Sequence, residues 1–357
     1  MRSQQEIQQL RRRHKLKSAI GLGETLFASA EDRRFAVALE EGLEKVESGL
    51  LAEMTFADNL ADVTARYLFD AGGKRIRPTL TLLTAQLGEG NIDDVIVAAQ
   101  AMEITHLASL YHDDVMDEAE LRRGVPSVQS VWGNSVAILT GDLLFARAGR
   151  LIASLGERAV RLQALTFERL CLGQLHETIG PDPDDDPIEH YIQVLRDKTG
   201  SLISAAAEVG VIFSNAPTEY EKPVREFGEK IGVAFQLIDD VIDLSAEVDE
   251  TGKTPGTDLR AGVATLPILY LRKLAVDDAD AAALLARIDR GVNGGPVATE
   301  EFTHAVAELR VHPVTGATLD EARRWAREGV EALSALPDAP VRRALTRFAD
   351  TLVERSN

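Results

Sequence analysis

The chain has 357 residues, enough to bury a large hydrophobic core. Its net charge of −18 at pH 7 argues against non-specific nucleic-acid binding, and its single cysteine, Cys171, excludes an intrachain disulfide and a multi-cysteine zinc site. No apolar run reaches the roughly 18 residues of a transmembrane helix, and the N-terminus has no apolar signal core, so a cytoplasmic protein is expected.

The first residues of the chain are basic, in contrast to the acidic remainder. Residues 1–17 contain six Lys or Arg residues and one acid, Glu6. We interpret residues 1–30 as a solvated basic arm, and the alternative is transient contact with an anionic membrane surface. Residues 31–357 are predicted to form a single domain, because none of the breaks between its helices resembles an interdomain linker.

Apolar residues recur at spacings of three and four along most of the chain, which predicts α-helices. Alternating patterns typical of strands are nearly absent, so the sequence predicts an all-α protein. Short loops rich in Gly or Pro separate the helices. The predicted helices are Phe35–Leu51, Val95–Leu110, Val136–Leu155, Ala159–Leu172, Ile188–Leu195, Ser201–Phe213 and Val224–Ile238.

Two acidic motifs of the form D-D-x-x-D, Asp113–Asp117 and Asp239–Asp243, follow apolar helical segments. The outer aspartates of each motif are four residues apart and share a helix face, where like charges destabilise a bare helix. A hard cation removes this repulsion, and Mg²⁺ commonly binds one or two carboxylates together with substrate phosphates. The two motifs therefore predict two opposed carboxylate groups at one metal–diphosphate site.

Residues suited to binding phosphate accompany the acidic motifs. Gly72 and Gly73 let an anion approach the backbone closely, and basic residues follow them directly. His106 lies two turns before Asp113 on nearly the same helix face. No Walker A spacing is present, so the chain does not resemble a nucleotide-driven kinase or ATPase. The combination predicts two bound diphosphates, one held through Mg²⁺ and one held by basic side chains directly.

Over roughly residues 35–270 the chain resembles the trans-isoprenyl diphosphate synthases, or polyprenyl synthetases, and in particular bacterial members that make medium or long chains. The matching motifs, in order, are Gly72–Pro78, His106, Asp113–Asp117, Leu121–Gly124, Trp132–Asn134, Gly141–Asp142, Gly173–Gln174, Lys198–Gly200, Phe235–Gln236, Asp239–Asp243 and Gly256–Leu259. The resemblance implies the isoprenoid synthase fold, an antiparallel helix bundle around a deep central cavity, usually in a homodimer. It also implies Mg²⁺-dependent, head-to-tail, trans condensation of isopentenyl diphosphate with an allylic prenyl diphosphate, with three Mg²⁺ ions when diphosphate is bound.

The resemblance also implies a role for each matching residue. The expected metal ligands are Asp113, Asp117, Asp239 and Asp243. The expected isopentenyl diphosphate contacts are Lys74, Arg77, His106 and Arg123, and the expected allylic diphosphate contacts are Arg122, Lys198, Thr199, Gln236 and Lys253. Of these, the residues expected to act in the chemical step are Asp113, Asp117, Asp239, Lys198 and Gln236.

Small residues before the first acidic motif predict a long product. By the same resemblance, Ala108 and Ser109 occupy positions where short-chain members often carry aromatic rings that close the cavity. We therefore expect a product longer than farnesyl diphosphate. Two alternatives remain open, a class I terpene cyclase and a regulatory subunit of a heteromeric prenyl synthase. Purified protein incubated alone with Mg²⁺, isopentenyl diphosphate and allylic primers distinguishes the three.

Overall fold

A computed structural model of the chain describes residues 30–245, 255–293 and 296–354. The predicted site residue Lys253 and residues 1–29 of the predicted basic arm lie outside these ranges. The structure is 80% helical, which confirms the all-α prediction. In the part of the chain that is described, no helix is both long and apolar enough to cross a membrane.

The helices follow the predicted periodicity but begin earlier or end later than the apolar pattern alone indicates. In chain order they are α1 Ala30–Glu53, α2 Asn59–Asp70, α3 Ile76–Ala85, α4 Asp93–Met116, α5 Val128–Trp132, α6 Asn134–Ser154, α7 Glu157–Ile179, α8 Pro187–Leu195, α9 Ser201–Phe213, α10 Glu221–Asp243, α11 Thr257–Arg260, α12 Leu266–Leu274, α13 Ala279–Asn293, α14 Pro296–Val311, α15 Pro313–Ala332 and α16 Pro340–Glu354. A π-helical turn, Arg196–Gly200, connects α8 to α9.

Polar residues fix several of the helix starts. Asp58 accepts hydrogen bonds from the amides of Leu60 and Ala61 and so caps α2. Asp186 caps α8 in the same way, with Pro187 in the first turn, where proline costs no hydrogen bond. The Asp186 cap explains why the loop that begins at Pro181 ends where the apolar pattern of α8 begins.

The chain folds into two compact units, each built from segments that are separated in the sequence. Of the described residues, the first contains 30–168, Leu202–Gly228 and Val330–Thr351. Its central element is α4, which is buried along most of its length and packs most extensively against α6. Since α4 is buried on several sides, its apolar pattern is broad, as expected of a core helix.

The second unit contains Arg169–Ser201, Glu229–Gly329 and Leu352–Asn357. Its apolar core includes Leu259, Ile268, Leu284, Phe302 and Leu309, contributed by α11 to α14. Phe302 is fully buried. The helices α13 and α14 pack extensively against each other within this unit.

One short hairpin departs from the helical pattern. Strands β1 Leu121–Arg122 and β2 Val125–Pro126 pair antiparallel, with Arg122 opposite Val125. The two residues between the strands, Arg123 and Gly124, have φ values of 55° and 77°. Positive φ at both central positions is what a type I′ turn requires, so the Arg-Gly pair closes this hairpin.

Candidate active site

The first acidic motif occupies the C-terminal end of α4. Asp113 is half-buried in the last turn, and Asp117 is the exposed residue that ends the helix. Asp114 between them is fully buried and accepts a hydrogen bond of 2.5 Å from Nε of Arg122. Burial raises the pKa of Asp114, and the Arg122 guanidinium opposes that shift. The outer and middle aspartates of this motif therefore have different environments.

The second acidic motif lies at the end of α10, where Asp240 and Asp243 are both buried. Asp239 is half-buried, and the Asp243 carboxylate accepts a hydrogen bond from the Asp258 amide at 3.1 Å. Asp240 is buried and accepts hydrogen bonds from the Tyr191 hydroxyl at 2.6 Å and from the Leu266 amide at 3.4 Å. Burial raises the pKa of Asp240 to about 8.

The position of both motifs fits a cation. The C-terminal end of a helix carries partial negative charge, and neither α4 nor α10 has a basic residue in its last turn. Carboxylates placed there are destabilised unless a positive ligand approaches them. Among the described residues, no three His, Cys, Asp or Glu side chains converge into a metal site by themselves. Mg²⁺ bound by one or two carboxylates and by substrate phosphate oxygens does not require three, so the donor set fits this ion.

A buried ion-pair cluster underlies the basic segment that precedes α3. Arg75 lies between Glu47 and Glu103, pairs with both, and stacks on the Phe69 ring at 4.8 Å. Its φ of 51° is in the left-handed region, which is strained for a residue with a side chain. Arg75 therefore fixes the chain where α3 begins, while Lys74 beside it is exposed.

Three of the predicted diphosphate contacts in the first unit, Arg77, His106 and Arg123, are near enough to influence one another's charge. Burial lowers the pKa of Arg77 to about 10 and that of Arg123 to about 10. Burial and the charges of Arg77 and Arg123 hold the pKa of His106 well below its usual range, so His106 is neutral at pH 7. A group of guanidinium ions that is costly to bury is a suitable site for an anion.

Three observations describe the surroundings of this cationic group. Nε of Arg77 is buried and has no hydrogen-bond partner among the described residues. Arg123 sits at the hairpin turn and donates to the backbone carbonyls of Leu68, at 2.7 Å, and Gly72. A side chain added at Gly73 would meet the guanidinium groups of Arg75 at 2.5 Å and Arg123 at 3.0 Å. Glycine at position 73 is therefore what lets these two arginines approach the backbone.

The second unit contains three of the predicted allylic diphosphate contacts, Lys198, Thr199 and Gln236, whereas Lys74 and Arg122 belong to the first unit. Lys198 and Thr199 lie on the π-helical turn, and Lys198 pairs with Glu177 of α7. The Thr199 hydroxyl is 3.5 Å from the Gln236 amide oxygen on α10. Lys198, Thr199 and Gln236 are half-buried. These three side chains thus belong to the same unit as the second acidic motif.

The two residues expected to set product length lie one turn before the first acidic motif. Ala108 is fully buried, and Ser109 is 7% exposed, with its hydroxyl donating to the His106 carbonyl at 2.9 Å. The Ala108 carbonyl also faces Gly141 of α6, where an added Cβ would lie 3.2 Å away. The helices α4 and α6 are therefore in close contact at Ala108 and Gly141.

Sequence reasoning missed several residues that shape the site. Arg75 and Glu103 were visible as charges near the motifs, but the pattern gave no sign that they form a buried pair. The Tyr191–Asp240 hydrogen bond joins residues far apart in the sequence, so no local pattern indicates it. One signal was available for Asp114 and Asp240. Each directly follows the first aspartate of its motif, and adjacent helix residues do not face the same side, so Asp114 and Asp240 point away from Asp113 and Asp239.

Comparisons with known proteins agree with this geometry. The family model for polyprenyl synthetase matches residues 58–294. The chain is 45% identical to a nonaprenyl diphosphate synthase of Mycobacterium tuberculosis over 91% of this chain and 95% of that protein. A decaprenyl diphosphate synthase structure from Rhodobacter capsulatus superposes with a TM-score of 0.79 at 33% identity, covering 91% of this chain and 99% of that one.

A geranylgeranyl pyrophosphate synthase structure from Corynebacterium glutamicum, complexed with calcium and isoprenyl diphosphate, gives a TM-score of 0.78 at 39% identity. It covers 93% of this chain and 99% of that one. The all-α fold and these relatives together show that the chain is a prenyl-transferring enzyme. The chain belongs to the polyprenyl synthetase family, and it is a polyprenyl diphosphate synthase. The prediction of a prenyltransferase with a product longer than farnesyl diphosphate is confirmed.

Proposed function

We propose that this synthase extends an allylic prenyl diphosphate with isopentenyl diphosphate units, head to tail and in trans geometry, to a medium- or long-chain product. The observation that carries the proposal is the cationic group of the first unit. There the buried Nε of Arg77 has no hydrogen-bond partner among the described residues, and Arg123 and the neutral His106 share its environment. An isopentenyl diphosphate anion compensates this buried positive charge and accepts the Arg77 hydrogen bond.

The remaining site residues have distinct proposed roles. Asp113, Asp117, Asp239 and Asp243 hold Mg²⁺, with three ions when diphosphate is bound. When bound, Mg²⁺ stabilises the negative charge of the departing diphosphate. Asp114 accepts a hydrogen bond from Nε of Arg122, which leaves the terminal nitrogens of Arg122 to bind a phosphate. Lys74 adds a contact to isopentenyl diphosphate, and Lys198, Thr199, Gln236 and Lys253 contact the allylic diphosphate.

The reaction follows from these contacts. Positive side chains around the allylic diphosphate lower the barrier to breaking its C–O bond, since they stabilise the charge that develops on the leaving group. Arg77, Arg123 and His106 hold isopentenyl diphosphate so that its C4 carbon forms the new C–C bond. Formation of this bond leaves a positive charge on C3. The neighbouring C2 carbon then loses a proton to form the new C2=C3 double bond, and the departing diphosphate accepts that proton. Each cycle lengthens the allylic product by one isoprene unit.

We further propose that the enzyme is a cytoplasmic homodimer. Within the first unit, α6 and the beginning of α7 expose several large apolar side chains, namely Ile138, Leu139, Leu143 and Leu165. An apolar surface of this kind is typical of a protein–protein interface, and a second copy of the chain is the proposed partner. A long apolar product also favours transient contact with a membrane surface, where it is released.

The test uses purified protein alone. It is incubated with Mg²⁺, labelled isopentenyl diphosphate and allylic primers of several lengths, and the dephosphorylated products are separated by thin-layer chromatography. Elongation that EDTA abolishes and Mg²⁺ restores is expected. Cyclised hydrocarbon would instead indicate a terpene cyclase, and turnover only after adding a second protein would indicate a subunit of a heteromeric enzyme.

A further inference from the structure

The π-helical turn Arg196–Gly200 is the most unusual backbone element near the proposed allylic site. It interrupts the path from α8 to α9 and carries Lys198 and Thr199. A π-helical turn inserted in α-helix is rare and shifts the direction of its side chains, and it often occurs at functional sites. Such a turn persists only when its surroundings stabilise it.

Arg169 of α7 supplies that stabilisation through three contacts. Its Nε donates to Asp197 Oδ1 at 2.8 Å, and one terminal nitrogen donates to Glu229 Oε2 at 3.1 Å. The other terminal nitrogen donates to the backbone carbonyl of Arg196 at 3.3 Å. Two of the three acceptors thus belong to the π-helical turn, and the third belongs to α10.

Further contacts surround the same turn. Arg196 donates to Glu229 at 2.8 Å, and Gln193 donates to the second oxygen of Asp197 at 2.6 Å. We call Arg169, Gln193, Arg196, Asp197 and Glu229 the Arg169 network. Within it both carboxylates accept more than one charged or polar donor, so removing Arg169 leaves each with fewer partners.

Gly173 brings the turn close to α7. It lies four residues after Arg169 and therefore on the same face of the helix. A Cβ added at Gly173 would lie 2.5 Å from the backbone nitrogen of Lys198 and 2.9 Å from the carbonyl carbon of Asp197. The backbone of the turn thus rests against α7 at Gly173, directly beside the Arg169 contacts.

We propose that Arg169 is a positioning residue that holds the π-helical turn in place and thereby presents Lys198 and Thr199 to the allylic diphosphate. Arg169 itself does not touch substrate in this proposal, which rests on the proposed function for the roles of Lys198 and Thr199. Lysine can replace it only in part, because only the guanidinium fork reaches two carboxylates and a carbonyl together.

The test compares Arg169→Gln with Arg158→Gln in the full-length enzyme. Arg158 is on the same helix and pairs with Glu221 at 2.6 Å, outside the Arg169 network. Amide hydrogen exchange of the peptide that covers residues 196–201 is expected to be ~10-fold faster in Arg169→Gln and unchanged in Arg158→Gln. Unchanged exchange in both variants would overturn the proposal, whatever the activity.

Kinetics then test the link to substrate. In Arg169→Gln the KM for the allylic diphosphate is expected to rise ~5-fold or more, while the KM for isopentenyl diphosphate changes less than about twofold. Arg169→Lys is expected to restore only part of the loss. Equal changes in both KM values would overturn the proposal, because they indicate a general structural role.

Lys198→Ala separates failure of this inference from failure of the proposed function. If Lys198→Ala raises the allylic KM and Arg169→Gln does not, the positioning role is wrong and the proposed site stands. If neither variant changes that KM, the assignment of Lys198 to the allylic diphosphate fails, and the positioning proposal fails with it.

Discussion

At the residue scale, burial separates side chains that have the same chemistry. In each acidic motif the middle aspartate is buried against a partner within the protein, Arg122 for Asp114 and Tyr191 for Asp240. Asp113, Asp117 and Asp239 are less buried, whereas Asp243 is 8% exposed and accepts a hydrogen bond from the Asp258 amide. The middle aspartates therefore stabilise the folded chain at each motif, and the outer aspartates are the proposed metal ligands.

The neutral state of His106 leads to a pH prediction. The unfolded chain takes up a proton at this position near pH 6.5, but in the folded protein burial and neighbouring arginines hold the pKa of His106 well below that value. The stability that the neutral side chain provides is therefore present above pH ~6.5 and lost as the pH falls below it, since the unfolded state binds the proton more readily.

We expect the difference in free energy of unfolding between the wild type and His106→Gln to decrease by about 1 kcal/mol from pH 7.5 to pH 5.5. Glutamine keeps a hydrogen-bond donor but cannot take up the proton. Urea denaturation at the two pH values measures the change. The substitution His304→Gln, at an exposed histidine, is the control. Parallel behaviour of both variants would contradict the prediction.

At the element scale, glycines mark the closest approaches between helices. Gly210 of α9 faces α3, where an added Cβ would lie 2.1 Å from the Thr84 hydroxyl and 2.3 Å from the Thr81 carbonyl. The hydroxyls of Thr81 and Thr84 donate to carbonyls of Ala206 and Ala207 on α9 at 2.7 and 2.8 Å. The helices α3 and α9 therefore touch backbone to backbone, joined by buried hydrogen bonds.

Gly210→Ala is expected to destabilise the protein by roughly 2–4 kcal/mol, because a buried backbone contact cannot yield without breaking the threonine hydrogen bonds. Gly149→Ala provides the matched control. It is an exposed residue of α6 with nothing within 4 Å of an added Cβ, so alanine should stabilise it by ~0.5–1 kcal/mol. Chemical denaturation measures both changes. Equal changes in the free energy of unfolding for the two variants would show that the contact at Gly210 does not contribute specially to stability.

The face of α4 before the first acidic motif carries the chain-length prediction. Phenylalanine at Ser109 adds an aromatic ring one turn from Asp113, so growth of the prenyl chain should stop earlier. Ser109→Phe is expected to give a shorter product, and Ser109→Ala, which stays small, an unchanged one. Thin-layer chromatography of the dephosphorylated products reads out the length. An unchanged product from Ser109→Phe would reject the role of this position.

At the scale of the whole molecule, charge and exposed apolar surface have different consequences. The net charge of −18 favours solubility and opposes association with other polyanions. The apolar side chains on α6 and α7 favour association with another surface, and among them Leu139 is 60% exposed. Association through this patch is the proposed basis of the homodimer.

Leu139→Asp together with Leu165→Asp is therefore expected to shift the protein towards single chains of 38.8 kDa, because burying two carboxylates in an apolar interface is costly. Light scattering after size-exclusion chromatography measures the mass. Val276→Asp combined with Val311→Asp is the control, since both valines are exposed on other parts of the chain. A dimer that survives the first pair would place the interface elsewhere.

Much of the fold and part of the site could be predicted from the sequence. Helical periodicity depends on neighbours three and four residues apart, and so α4 and α10 were predicted. Their apolar patterns ended six and five residues before the observed helix ends, because the acidic motifs interrupt the apolar pattern but not the helix. The hairpin around Arg123 was missed because four paired residues give too short a pattern. The single-domain prediction stays a prediction, as do the roles of the individual site residues.

Local spacing and residue type were sufficient to establish the helical class, the order of the acidic and basic motifs, and the family. The folded contacts were needed to show which charges are buried and which are presented. Arg75 pairs with Glu47 and Glu103, Asp240 with Tyr191, and Arg169 with Asp197 and Glu229, across separations that no local pattern spans. A buried charge without a partner costs much more free energy than an exposed one. Which charges need a partner therefore depends on which side chains the tertiary structure buries.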